Sequence, residues 1–479
     1  MKTLIRIVII GTITVTVLAV IFLLLLFNPP EQINQTIIFT SGTATDVKSI
    51  TVQNKTGKFT FYYDINEGGY VTDNIPAYLV DVTALINFLD KSANMYAIKV
   101  IENNEITAND AGLIDPTAIV CIEMMTGEIV NLSIGTKEQI SGNYYAHVNE
   151  LKYVYLIPQN LADLFLLPKT QIITRYVTPQ LMVSSPLLAI RDITFTGGTL
   201  TKPVTIQTTT TENPEIRLKA LSFGTATHIV RGIADYQLDQ SYGIMIFGSL
   251  FGITGDIVAY ELNEEEMATF GFDNPYMTVD FTMKNTDSSY EESYIEHINL
   301  RIVEAGNNQY YITLNDINAV FITDRLPFMD IRYELLPVRW FLTPMLMNLS
   351  AVTITTPDRE YRIEINSIDI RNQIFTLDGL RLDFDLFQSF FRLITSASHD
   401  GTYLGPLPQP RGLPLLQITY EYTIFDKSAD ILTVFPGEER RVNVFINGSG
   451  EFAMKDLFVT RVLEGIENLK AGKPIEENW

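Results

Sequence analysis

"ATFGFDNPYMTV", residues 268–279, closes a short acidic run and opens an apolar one. "NDAGLIDPTAIV", residues 109–120, carries the same punctuation, Gly and Pro with three residues between them. Sliding the chain by 159 residues superposes the two without a gap. "IKVIENNEITANDAGLIDPTAIVCIEM" (98–124) then falls on "IVAYELNEEEMATFGFDNPYMTVDFTM" (257–283), pairing Asn104 with Asn263, Gly112 with Gly271 and Pro116 with Pro275. The glycine is expected to take the left-handed conformation that ends a short helix begun at the asparagine. The proline then leads into a strand, where its missing N–H costs little.

The likeness extends on both sides in the same order. Upstream, "VTALINFLDKSA" (82–93) falls on "SYGIMIFGSLFG" (241–252), both apolar helix candidates. Downstream, "NLSI" (131–134) recurs as "NLRI" (299–302), and "YYAHVNELKYVYLI" (144–157) as "YYITLNDINAVFIT" (310–323). A third, looser copy follows. Its "LSAVTITTPDREYRIEIN" (349–366) resembles "VKSITVQNKTGKFTFYYD" (47–64), two alternating strands around a polar turn. A helix candidate (383–397), a Gly/Pro-rich connector "GTYLGPLPQPRGLP" (401–414), further strands and a final helix complete it, without the Gly-x-x-x-Pro block.

The fold class expected is α+β: tandem β-rich units of mainly antiparallel sheet with short packing helices, because the strand connections are short. A period above 100 residues fits tandem domains rather than a solenoid. The units are placed at 44–168, 186–335 and 345–479, after residues 1–30. Within 1–30, Lys2 and Arg6 precede Ile7–Phe27, which carries no charge. That run is long enough to span a bilayer as a helix and longer than the apolar region of a cleaved signal. The two cations keep the N-terminus cytoplasmic under the positive-inside rule, so the bulk of the chain is expected outside the cell.

The chain of 479 residues has a net charge of −22, which becomes −24 once Lys2 and Arg6 are set aside. Such a surface disfavours nucleic acid as a partner. One cysteine, Cys121, excludes an internal disulfide and a cysteine-based zinc cluster, and reads as a buried small hydrophobe.

The blocks "AGLIDP", "FGFDNP", "YYAHVNELKYVYLI" and "YYITLNDINAVFIT" resemble a bacterial family catalogued as domain of unknown function 4340. The likeness covers roughly residues 45–335. Ala111 and Phe270 stand where the family commonly has Tyr. The resemblance implies a membrane-anchored extracytoplasmic protein, with some members linked to gliding-motility-type ABC transport systems. It implies no catalytic residues.

Chemistry-bearing motifs are sparse. His147, His228, His297 and His399 form no metal-binding spacing. Ser398, His399 and Asp400 are chain neighbours, which on extended backbone point apart rather than lining up as a triad. Glu264, Glu265 and Glu266 follow Asn263 as a capping box and complement the helix dipole. Asp383 and Asp385 satisfy only the start of a Ca²⁺ loop. "TGGT" (196–199) lacks the Lys of a phosphate loop and reads as a hairpin turn. Tyr144, Tyr145, Tyr310 and Tyr311 read as sheet packing, one buried and one exposed in each pair.

No metal, cofactor or catalytic set is therefore expected. The functional expectation is a non-enzymatic binding or scaffold module of the bacterial envelope, anchored in the membrane, with a protein partner there. An ABC-type transport system is the assembly the resemblance implies. The alternative is an envelope hydrolase or transferase acting on cell-wall glycan through carboxylates that the sequence does not pair.

Overall fold

A computed structural model describes residues 36–65, 69–72, 80–101, 106–149, 153–260, 262–284, 296–315, 317–367, 373–424 and 426–479. Lys2, Arg6, the expected anchor Ile7–Phe27 and Asn104 lie outside these. Among the described residues no helix is long and apolar enough to cross a membrane. The chain divides into two compact units, Met1–Thr174 and Arg175–Trp479.

The first unit opens with a short strand β1 (Ile37–Ile38), then β2 (Val47–Asn54), β3 (Gly57–Asp64) and β4 (Gly69–Thr72). The helix Val82–Ala93 follows, then β5 (Tyr96–Ala97), β6 (Lys99–Ile101), β7 (Ala118–Met124), β8 (Ile129–Lys137), β9 (Tyr144–Val148) and β10 (Val154–Ile157). Eight strands form one sheet in the order β4-β3-β2-β7-β8-β9-β10-β6, while β1 pairs with β5. Strict alternation buries one face: Ile50 and Val52 of β2, Val120 and Ile122 of β7, and Leu132 and Ile134 of β8. Onto that face pack Phe88 and Leu89 of the first helix and Phe165 of the helix Gln159–Leu166. The same alternation turns Cys121 outward, opposite Thr51, where it is half-buried. The expected burial of this thiol is thus corrected, because its neighbours Val120 and Ile122 take the core side.

The second unit holds two sheets. One comprises β11 (Ile190–Gly197), β12 (Val204–Thr208), β13 (His228–Arg231), β14 (Asp235–Gln237), β15 (Asp256–Tyr260), β16 (Met277–Met283), β17 (Glu296–Gly306), β18 (Gln309–Leu314) and β19 (Ala319–Asp324). Their order is β14-β13-β12-β11-β16-β17-β18-β19-β15. The other comprises β20 (Leu349–Thr355), β21 (Glu360–Ser367), β22 (Gln373–Leu377), β23 (Leu380–Arg381), β24 (Leu416–Tyr422), β25 (Ala429–Pro436), β26 (Arg441–Ile446) and β27 (Ser449–Lys455). Their order is β23-β22-β21-β20-β24-β25-β26-β27. The three large sheets share one plan. A leading hairpin lies beside β7, β16 or β24, and the strands that follow these in the chain add outward as antiparallel neighbours.

A small device recurs at the same place in all three sheets. Asn149, Asn315 and Asn447 each adopt φ near +50° at a hairpin turn. Each side-chain Oδ1 accepts the N–H of a residue on the preceding strand: Asn131 (2.7 Å), Asn299 (2.8 Å) and Ile431 (2.8 Å). The backbone N–H of each asparagine donates back to the carbonyl of the same residue. Asparagine suits this position because it tolerates the left-handed region and its short amide reaches local backbone.

The joint around Gly271 has the expected capping box. Asn263 Oδ1 accepts the Glu266 N–H and Glu266 Oε2 accepts the Asn263 N–H, both at 2.9 Å, ahead of the helix Glu264–Thr269. Gly271 follows with φ +86°, and Pro275 stands two residues before β16. Gly112 has φ +69° and Pro116 stands two residues before β7, but residues 108–112 form a hydrogen-bonded turn rather than a helix. Gly112 admits no side chain, since a Cβ there would lie 2.5 Å from Thr136 Cγ2.

The third sheet replaces this block. Residues 402–407 run along β27, with Leu404 N–H donating to the Glu451 carbonyl and Leu407 N–H to that of Gly450 (both 2.8 Å). They occupy the edge position that β6 and β15 hold in the other two sheets. The Gly/Pro-rich connector is therefore an edge segment, not a free loop.

Candidate functional site

The fold disperses the residues whose chemistry stands out in the sequence. His228 is fully buried, its Nε2 3.1 Å from the Ile190 carbonyl, and burial lowers its pKa. His297 is exposed, 3.1 Å from Asp280. Asp383 caps the helix Phe384–Thr395 by accepting the Leu386 N–H. Among the described residues no cluster of His, Cys, Asp and Glu could hold a metal ion. Tyr310 is buried and Tyr311 half-buried, whereas Tyr144 and Tyr145 are both half-buried. "TGGT" opens a six-residue hairpin connection between β11 and β12.

The Ser398-His399-Asp400 neighbours do not converge either. The His399 ring stacks on Phe452 at 4.5 Å, and its Nδ1 accepts the Gly401 N–H at 3.2 Å. Asp400 accepts from Arg441 Nε at 2.6 Å and from the Thr402 N–H. Among the described residues His399 Nε2 is buried without a partner, so Ser398 is not bonded to either ring nitrogen. A cavity of about 350 Å³ lies beside this stretch, closed partly by Trp479, whose Nε1 donates to Ser396 Oγ.

A more distinctive constellation lies in the second unit. Glu451 on β27 is fully buried, and its Oε1 accepts the Tyr333 hydroxyl at 2.7 Å. The backbone N–H of Ile233 favours ionisation of the Tyr333 hydroxyl, against the larger effects of burial and Glu451. Gly232 makes room for it, since a Cβ there would stand 2.0 Å from the Tyr333 oxygen. Burial pushes the Glu451 carboxyl above its ordinary value, against the opposing pull of Tyr333, Tyr236, the Ala234 N–H and Tyr403. Burial also raises Tyr236, Tyr333 and Tyr403, with Glu451 the next cause in each. Among the described residues, Oε2 of Glu451 is buried with no partner at hydrogen-bonding distance.

Glu451 lines a cavity of about 460 Å³. Leu200, Lys202 and Pro203 come from the β11–β12 connection, Ile331 to Glu334 from the segment leading to the third sheet, and Tyr403 and Pro406 from the edge segment. Tyr403 and Tyr333 meet edge to face at 5.6 Å. Arg332 bonds Glu334 at 2.7 Å, and Arg231 bonds Asp235 at 2.8 Å. Lys202 is exposed and bears no ion pair among the described residues.

On the far side of the 231–235 turn lies a second cavity of about 370 Å³. Its buried Asp430 accepts from Tyr422 at 2.6 Å and from Asn447 at 3.0 Å, and pairs with Lys427 at 3.1 Å. Burial raises Asp430, but Lys427, Tyr422, Asn447 and Ser222 outweigh it and hold the carboxyl below its ordinary value. Lys427 also donates to Ser222 at 2.9 Å, joining the two sheet regions of this unit. Asp430 is thus a satisfied structural acid, whereas Glu451 is not satisfied.

Strand register shows what is unusual about Glu451. Tyr155 pairs with Ala146, Phe321 with Ile312 and Phe452 with Val444, each partner lying three residues before the recurrent asparagine. The residue before each is therefore equivalent: Val154, Val320 and Glu451. In the sequence Glu451 looks like one more residue of a strand, with no local feature to single it out. Aligning Asn447 with Asn149 and Asn315 is the signal that marks it as a carboxyl in a valine position.

No curated protein and no solved structure matches the chain. Residues 71–225 match the model of the family described as Domain of unknown function (DUF4340), and over that stretch the chain is similar to that family.

Proposed function

We propose that the chain is a non-enzymatic binding or scaffold module of the bacterial envelope, held in the membrane by residues 7–27 with its bulk outside the cell. In this reading it is accessory to an ABC-type transport system. The observation that carries the binding role is the cavity against Glu451. It combines aromatic and aliphatic walls with a few placed polar groups, the usual constitution of a small-molecule or peptide pocket.

Hydrolysis is the weaker reading of the same cavity. Glu334 and Glu451 both line it, yet Glu334 is engaged by Arg332 and Glu451 by Tyr333. A glycosidase needs one carboxylate ionised and free to attack or to activate water.

Affinity purification of the full chain from detergent-solubilised membranes tests the proposal. Co-purification of a permease or ATPase is the expected result. Recovery of no partner, together with turnover of wall glycan by the purified chain, would overturn it.

A further inference from the structure

We propose that the cavity lined by Trp340 and Trp479 binds a small organic anion, its charged group held by Arg339 and Lys455. This cavity shares no lining residue with the one against Glu451, so its ligand is independent of the binding role proposed there.

The chain has two tryptophans, and both line this cavity of about 350 Å³. Backbone pairing puts one of them there. Residues 339–341 run antiparallel to 397–399, with the Phe341 N–H donating to the Ala397 carbonyl and the His399 N–H to that of Arg339, both at 2.9 Å. Phe341, Ala397 and His399 are buried, so alternation leaves Trp340 and its partner Ser398 on the outer side, where Trp340 is 50% exposed. The other indole is fixed by its own donor. Trp479 Nε1 bonds Ser396 Oγ at 2.7 Å, and the ring meets Phe458 edge to face at 5.0 Å. The two indoles give the cavity apolar walls for the body of a ligand.

Charge selects the sign of the ligand. Asp400 and Glu477 also line the cavity, but each is engaged by an arginine. Asp400 accepts from Arg441 Nε at 2.6 Å, and Glu477 accepts from two nitrogens of Arg392 at 2.9 and 2.7 Å. Arg339 and Lys455 are exposed, and among the described residues no carboxylate lies within ion-pair distance of either. The cavity beside Asp430 differs, since its Lys219, Arg231 and Lys427 all pair with acids. With its acids neutralised and its two cations free, the lining is locally positive in a chain whose net charge is −22. A guanidinium and an ammonium in one lining suit a carboxylate or a phosphate group. A cationic ligand would be repelled by both, and a neutral one would leave them unused. The volume lies within the ordinary range for small-molecule sites.

Tryptophan emission of the full chain in detergent reads the site directly, because the chain has no other indole. Four probes are titrated: phenylacetate, phenyl phosphate, benzyl alcohol and benzyltrimethylammonium. A saturable emission change with at least one of the two anions is expected, and the pair separates a carboxylate from a phosphate ligand. Affinity should exceed that for benzyl alcohol about tenfold or more, and fall about tenfold or more in Arg339→Gln/Lys455→Gln. Both side chains are exposed, so this variant is expected to fold; an unchanged melting profile verifies that. Lys202→Gln, which removes the exposed lysine of the cavity against Glu451, should leave the affinity unchanged. No response to either anion, equal affinity for benzyl alcohol, or tighter binding of benzyltrimethylammonium would overturn the proposal. So would affinity unaffected by Arg339→Gln/Lys455→Gln, or anion binding lost in Lys202→Gln. Any of these results with a membrane partner still recovered would remove this inference and leave the binding-module reading standing.

Discussion

Asn447 and Ile431 hold each other twice: the Ile431 N–H donates to Asn447 Oδ1 and the Asn447 N–H to the Ile431 carbonyl, both at 2.8 Å. Asn447 is left-handed at φ +50°. Alanine there loses the side-chain bonds to Ile431 and Asp430 and is strained. Asn447→Ala should cost about 1–3 kcal/mol, and Asn447→Gly, which relieves only the strain, clearly less. Urea denaturation of the two variants checks the order; equal losses would count against the strain argument.

Gly232 is fixed by the Tyr333 hydroxyl rather than by its backbone angles. Gly232→Ala must displace Tyr333 and break its bond to Glu451. A loss of about 1–3 kcal/mol is expected. In a Tyr333→Phe background the added methyl meets no hydroxyl, so the Gly232→Ala penalty should shrink. A double-mutant cycle in thermal melts measures this coupling, and additive losses would refute it.

Glu451 and Asp430 should respond to pH with opposite sign. The folded pKa of Glu451 is raised, so the folded state binds its proton more tightly than the unfolded chain. Its contribution is full below the ordinary carboxylate value and is lost as pH rises through the folded value. Asp430 is lowered, so its contribution is present above the ordinary value and is lost as pH falls through the folded one. Relative to wild type, Glu451→Gln should gain stability as pH rises from the ordinary carboxylate value into the alkaline range. Relative to wild type, Asp430→Asn should do worst at neutral pH and converge with it in acid. Melting curves across that range decide both.

Gly271→Val should destabilise the second unit by about 1–2 kcal/mol, because φ +86° is closed to a branched residue. The new side chain also begins 3.3 Å from Val303 Cγ1. Gly112→Ala adds a contact at 2.5 Å with Thr136 and should destabilise the first unit. Hydrogen exchange resolves which unit opens in each variant; protection unchanged in both would contradict the assignment.

Much of the architecture is legible in local chemistry. Gly271, Pro275 and the Asn263–Glu266 box are short-range signals, and alternation in β2 and β16 marks the buried face without knowledge of the partner strand. The left-handed Gly and the capping box depend on backbone angles and neighbours three residues away, which the sequence carries explicitly. Cys121 departs from its expected burial because an apolar run does not say which residues of a one-sided sheet face inward. Its register against β2 decides that.

The cavity lies beyond the reach of the sequence. Glu451, Tyr333 and Tyr403 are separated by 118 and 70 residues along the chain, and each stands in a segment that looks ordinary alone. Their meeting depends on β27 ending the third sheet, on residues 402–407 replacing an edge strand, and on Gly232 leaving space for a hydroxyl. By itself the sequence determined the repeat, the strand alternation and the turn chemistry, since these are set by local sterics and periodic burial. Only the tertiary structure decided that a carboxyl in a valine position would lie buried, half-satisfied and beside a cavity, because desolvation and hydrogen bonding depend on what the fold brings into contact.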